Sequence, residues 1–129
     1  MDRELTVYVV DDDLGVREGL GRLLRAEGLR VRLCSSVDEL MSDHPAAPGC
    51  VLVDLSAHRK QPSGLAEQLR ARGAGIPVIA LTGDEREDVA REAFAAGASL
   101  FFRKPVDGRA LIDAIKWVTS HEKMTRRNP

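Results

Sequence analysis

Three apolar runs, LTVYVV (5–10), CVLVDL (50–55) and IPVIALT (76–82), are continuous rather than alternating. An alternating strand can leave one face in water, whereas a continuous apolar run must be covered on both, as in a parallel sheet. Two weaker candidates, RVRLC (30–34), which alternates, and SLFFR (99–103), bring the expected strands to five. Between these runs the apolar period becomes helical. In 14–28, Val16, Leu20, Leu23 and Leu24 share a face and Gly28 is placed to end the helix. Ser36 and Glu39 have capping-box spacing at the start of a short helix over 36–43. Leu65 and Leu69 mark a third helix over 64–72, a fourth over 85–96 stops at Gly97, and a fifth over 107–121 stacks Leu111, Ile112, Ile115 and Val118. Strand and helix alternate throughout, which argues for an α/β domain with right-handed crossovers and helices on both faces of the sheet.

An open sheet of this kind collects its ligands outside the carboxyl ends of the strands. Asp11 and Asp12 end the first strand, Asp54 lies near the end of the third, Thr82 ends the fourth and Lys104 follows the fifth. Each residue alone has an ordinary reading: Asp11 and Asp12 as a helix cap and its neighbour, Thr82 as a strand residue, Lys104 as a surface cation. Together they form one rim of opposed charges. Like charges gathered at a strand tip raise the cost of ionising one another, so a cation is expected among them. Magnesium suits oxygen donors of this type, taking one or two carboxylates and keeping several waters. Three carboxylates would then face a divalent ion and Lys104, and the charges balance. In that setting Asp54 is a carboxylate able to act as a nucleophile toward phosphorus. Asp13 reads as a solvated residue in the first helical turn.

With 129 residues, 43% of them hydrophobic, the chain suffices for one domain. The 19 basic side chains nearly balance 20 acidic ones, so no basic field draws the chain to nucleic acid or to an anionic membrane. No apolar run reaches the roughly 18 residues that a membrane span needs. Cys34 and Cys50 lack metal-type spacing, and the start MDRELTV has no signal-peptide pattern, so reduced thiols and a cytoplasmic location are expected. Residues 1–121 are expected to form the domain, and 122–129 a polar tail or the start of a linker.

VYVVDDD, VLVDL, IALTG and AGASLFFRKPV resemble the motifs of the bacterial response-regulator receiver domain, in particular the receivers of nitrogen-fixation and nodulation regulators. The resemblance covers residues 5 to about 120 and rests on the joint order and spacing of the motifs. It implies a flavodoxin-like (βα)5 three-layer sandwich with a parallel sheet in the order 2-1-3-4-5. It also implies that Asp54 is the phosphoacceptor and that Mg2+ is held by Asp12 directly, by Asp11 largely through water, by Asp54 and by the backbone carbonyl of Ser56. Thr82 and Lys104 would grip the phosphoryl group, Phe101 matches an aromatic that moves with Thr82, and the Lys104–Pro105 bond is expected to be cis. Phe101 reads equally as plain core, and Phe102 should face the other way. Ser56 and Asp84 fall where such proteins vary residues that control hydrolytic water.

By this resemblance the chain is a phosphorylation-dependent switch rather than an enzyme. Its partners would be a histidine kinase or phosphotransfer protein and, when phosphorylated, a second copy of itself. The responsive face would comprise the helices at 85–96 and 107–121 and the strand between them. One segment departs from the pattern: DLSAHRKQPSG lacks the usual Met-Pro pair after the phosphoacceptor, and Gly64 comes late. Two alternatives stay open: a receiver-fold module that is not phosphorylated, and an aspartate-nucleophile phosphohydrolase. The second would normally carry another Asp where this chain has Ser56. His58, in the departing loop, reads as an ordinary loop residue.

Overall fold

The computed structural model describes residues 5–46, 48–55, 67–68, 75–83, 88–95 and 97–127, with the backbone alone at 88–89 and 121–127. In chain order these form β1 (Thr6–Val10), α1 (Leu14–Ala26), β2 (Arg30–Cys34), α2 (Val37–Ser42), β3 (Gly49–Asp54), β4 (Val78–Thr82), α3 (Asp88–Ala95), β5 (Leu100–Arg103) and α4 (Gly108–Arg127). All five expected strands are present. Of the expected helix at 64–72 only Glu67 and Gln68 are described, and both are helical; Ser56, His58 and Asp84 lie outside the described residues.

The strands form one parallel sheet in the order β2-β1-β3-β4-β5. Alternation along each strand divides the core into two halves. On one face Val7, Val9, Cys50, Leu52, Ile79 and Leu81 pack with Leu24 of α1 and with Leu111, Ile112, Ile115 and Val118 of α4. On the other, Tyr8, Val10, Val51, Val53 and Val78 pack with Leu40 and Met41 of α2. β3 is buried along its whole length, which is why CVLVDL cannot alternate. Gly49 begins it because a side chain there would have its Cβ 2.6 Å from the Thr6 carbonyl oxygen. The two cysteines are free and buried in different halves. Burial, then the charges of Glu39 and Asp43, push the Cys34 thiol up to about 11, and burial pushes Cys50 up to about 12.

Both helix ends read from glycine are found. Gly28 takes φ +83°, its N–H donates to the Arg25 carbonyl, and the Leu29 N–H donates to that of Leu24, which closes α1 in a Schellman motif. Gly97, at φ +102°, does the same after α3. Three local expectations are corrected. Asp13 is the N-cap of α1, its Oδ1 accepting from the Val16 N–H at 3.0 Å, because β1 stops early enough to leave it just outside the first turn. The Ser36 hydroxyl caps Glu39 as expected, but the Glu39 carboxylate accepts from the N–H and hydroxyl of Ser35, not from Ser36. The last helix runs past 121 to Arg127; SHEKMTRR offers neither Gly nor Pro to stop it.

Leu52, wholly buried in the larger half-core, sets a stability test. Leu52→Ala should cost about 2–5 kcal/mol, read as a lower urea midpoint with an unchanged denaturant slope.

Candidate functional site

The register of the sheet builds the site. Val10 of β1 lies beside Val53 of β3, so Asp11, one residue past β1, emerges next to Asp54, the last residue of β3. Asp54 in turn neighbours Leu81, so Thr82 follows at the same edge, and Thr82 lies beside Arg103, so Lys104 emerges there too. Parallel strands therefore deliver four separated residues to one rim without any contribution from the side chains themselves.

Asp11, Asp54 and Thr82 are the three buried polar or charged side chains among the described residues, at 1%, 4% and 1% exposure. Asp12 is exposed. One carboxylate oxygen from each of Asp11, Asp12 and Asp54 lies within 4.8 Å of the others. The Lys104 ammonium sits between two of them, donating to Asp11 Oδ2 at 3.0 Å and to Asp54 Oδ2 at 3.1 Å. Burial would lower its pKa, but the hydrogen bonds to Asp11 and Asp54 and their charges outweigh it, and the net direction is upward.

Asp11 is held at every polar atom. Its N–H donates to the Cys34 carbonyl of β2 at 3.1 Å, its own carbonyl accepts from Arg17 of α1 at 2.7 Å, and its Oδ1 accepts from the Asp13 N–H at 2.9 Å. The Lys104 N–H donates to the Thr82 carbonyl at 2.7 Å, which ties the last two strand ends together. The Lys104–Pro105 bond is cis, as expected.

Oxygen donors, two buried carboxylates and one exposed one, with one ammonium bonded among them in the described residues, make a donor set that fits a hard divalent cation. Phe102 packs on the α1 and α4 half-core, and Phe101 faces the other way. Phe101 is only half-buried, and its ring carries the Arg103 guanidinium 5.4 Å from the centroid. Two contacts escaped the motif reading: Arg17 on the Asp11 carbonyl, and Lys104 bridging the carboxylates directly.

The sequence matches the response regulator receiver domain over residues 7–116. The chain belongs to that family. The receiver is 37% identical over 117 residues to the transcriptional regulatory protein FixJ of Azorhizobium caulinodans, covering 90% of this chain and 56% of that one. It is 35% identical over 116 residues to the response regulator protein TmoT of Ectopseudomonas mendocina, covering 89% and 53%. The chain thus spans about half the length of the curated relatives it matches. The crystal structure of FixJ-N is similar at 30% identity with a TM-score of 0.77, over 93% of this chain and 97% of that one. Receivers are signalling proteins of two-component systems rather than classical enzymes, and they bind Mg2+ at an acidic pocket, which is the character of the Asp11, Asp12 and Asp54 cluster. Among the described residues no helix is long and apolar enough to cross a membrane.

The raised Lys104 pKa sets a pH dependence. The folded state holds that proton more tightly than the unfolded chain, so its contribution is complete below the ordinary lysine value of 10.5 and is lost as pH rises through the higher folded value. At pH 8 in chelator Lys104→Met should cost about 1–3 kcal/mol, since it strips two carboxylates of a donor at a partly solvated site. Urea unfolding should show the gap between the two proteins closing as pH is raised past 10.5.

Proposed function

We propose that this receiver is a phosphorylation-dependent switch in which Asp54 accepts the phosphoryl group from a histidine kinase or phosphotransfer protein. The observation that carries this reading is the Lys104 ammonium, 3.0 Å from Asp11 and 3.1 Å from Asp54, beside a cluster of three carboxylates at the sheet edge. Asp12 and Asp54 would hold Mg2+ directly, with the Ser56 carbonyl. Asp11, whose two carboxylate oxygens already accept from Asp13 and Lys104, would act largely through water. The chemistry Mg2+ supplies at such a site is neutralisation of the charge on the transferring oxygens.

The chain's own part is positioning. An Asp54 carboxylate oxygen attacks phosphorus in line, the new O–P bond forms as the P–N bond to the donor histidine breaks, and the released electron pair returns to the imidazole. Asp54 loses its negative oxygen in the process, which leaves Lys104 to donate to the new phosphoryl oxygens together with the Thr82 hydroxyl. Each such charge-assisted bond contributes roughly 1.5–3 kcal/mol. About 5.5 kcal/mol carries a two-state equilibrium from roughly 1:99 to 99:1, so about two to four of them suffice.

The responding face is α3, β5 and α4, with Phe101 as the side chain that follows Thr82. Phe94 of α3 and Trp117 of α4 are half-exposed, at 51% and 53%, and each gives its helix an exposed apolar side chain for contact with an output partner or a second copy. By their positions two residues after Asp54 and Thr82, Ser56 and Asp84 are the residues assigned to setting the lifetime of the phosphoryl group.

Incubation with MgCl2 and acetyl phosphate should give a phosphate adduct by intact mass, absent with EDTA and absent in Asp54→Ala. No adduct on the wild type would leave a receiver-fold binding module, and turnover of a simple phosphate ester would favour a phosphohydrolase. Mg2+ alone should stabilise the wild type by about 2.7 kcal/mol at a hundred times its Kd, and Asp12→Asn should abolish that gain in thermal melts. Sedimentation with beryllofluoride should show a mass increase if phosphorylation drives self-association.

A further inference from the structure

Arg17 lies one turn into α1, half-buried, and its guanidinium donates to the backbone carbonyl of Asp11 at 2.7 Å. That carbonyl shares a planar peptide unit with the N–H of Asp12. Asp11 itself is fixed from the other side, its N–H bonded to β2 and its carboxylate to Asp13 and Lys104. Asp12 is different. It is exposed and no hydrogen bond or ion pair holds it among the described contacts, yet its carboxylate comes within 4.8 Å of Asp11 and Asp54 oxygens. What aims it is the orientation of the peptide plane that leads into it, and Arg17 is the side chain that grips this plane.

We propose that Arg17 is a positioning residue for divalent-cation binding: by holding the Asp11 carbonyl it fixes the peptide plane from which Asp12 reaches the ion. The role rests on the magnesium reading above. Arg17 does this without touching a carboxylate, so it consumes no ligand oxygen. Its positive charge nevertheless stands near the site and opposes cation binding. Geometry and charge therefore predict opposite signs for its removal. Outer partners that orient metal ligands typically carry a 10- to 100-fold effect on affinity.

The test is a titration of the full chain with MgCl2 alone by calorimetry, on the wild type, Arg17→Ala, Arg17→Gln and Arg17→Lys, with urea unfolding in EDTA run in parallel. Positioning predicts that Arg17→Ala binds Mg2+ about 10-fold more weakly. Arg17→Gln, which keeps an amide donor and removes the charge, should recover affinity at least in part. Tighter binding by Arg17→Ala would mean that charge alone matters, and a lower urea midpoint with unchanged Mg2+ affinity would mean a purely structural role; either overturns the proposal. If Arg17→Ala does not fold, Arg17→Lys decides, because it keeps the charge and replaces the guanidinium that grips the Asp11 carbonyl: weaker Mg2+ binding than the wild type supports positioning, and unchanged binding overturns the proposal. A wild type that binds no Mg2+ removes the magnesium reading and this inference together, whereas a wild type that binds normally beside unaffected variants removes only the latter.

Discussion

The contact on which the site depends is the Lys104 ammonium lodged between the carboxylates of Asp11 and Asp54. Those two groups are buried at 1% and 4% exposure, and two like charges at such depth are costly to keep ionised without a nearby cation. A lysine is suited to this, because its compact, rotatable ammonium can serve two oxygens on different strands, where a planar guanidinium would prefer one carboxylate held bidentately. The upward direction of its pKa, despite burial, shows that the two carboxylates more than compensate the desolvation of the amine.

The sheet makes this contact possible. In a parallel sheet every strand ends at the same edge, and the order β2-β1-β3-β4-β5 puts β3 between β1 and β4 with β5 alongside. The apolar runs that bury both faces also fix the register, since a slip by one residue would turn Val51 and Leu52 to each other's half-core. Packing thus sets where the charges stand. The glycine ends of α1 and α3 contribute by stopping each helix at a defined residue, so that β2 and β5 enter the sheet in phase.

Much of this is legible in the sequence alone. Three continuous apolar runs and two weaker ones mark the strands, and the polar residues at or just beyond their ends are Asp11, Asp12, Asp54, Thr82 and Lys104, because strand ends in such a fold need no further information to be neighbours. Other features follow from atoms that a motif does not encode. Arg17 meets a backbone carbonyl, and nothing in the pattern of α1 distinguishes it from the exposed arginines Arg22 and Arg25. Any member of a run of three aspartates could cap a helix, and only the stopping point of β1 selects Asp13. Glu39 turns to Ser35 because two donors are available there, its N–H and its hydroxyl. Alternation gave the side of the sheet on which Phe101 lies, but its half-buried ring under Arg103 depends on a rotamer and on a neighbour two residues along.

Lys104 meets partners 93 and 50 positions earlier in the chain. A fragment that ends before β5 therefore lacks the ammonium that serves both acids, and the rim is complete only in a chain that carries the fifth strand.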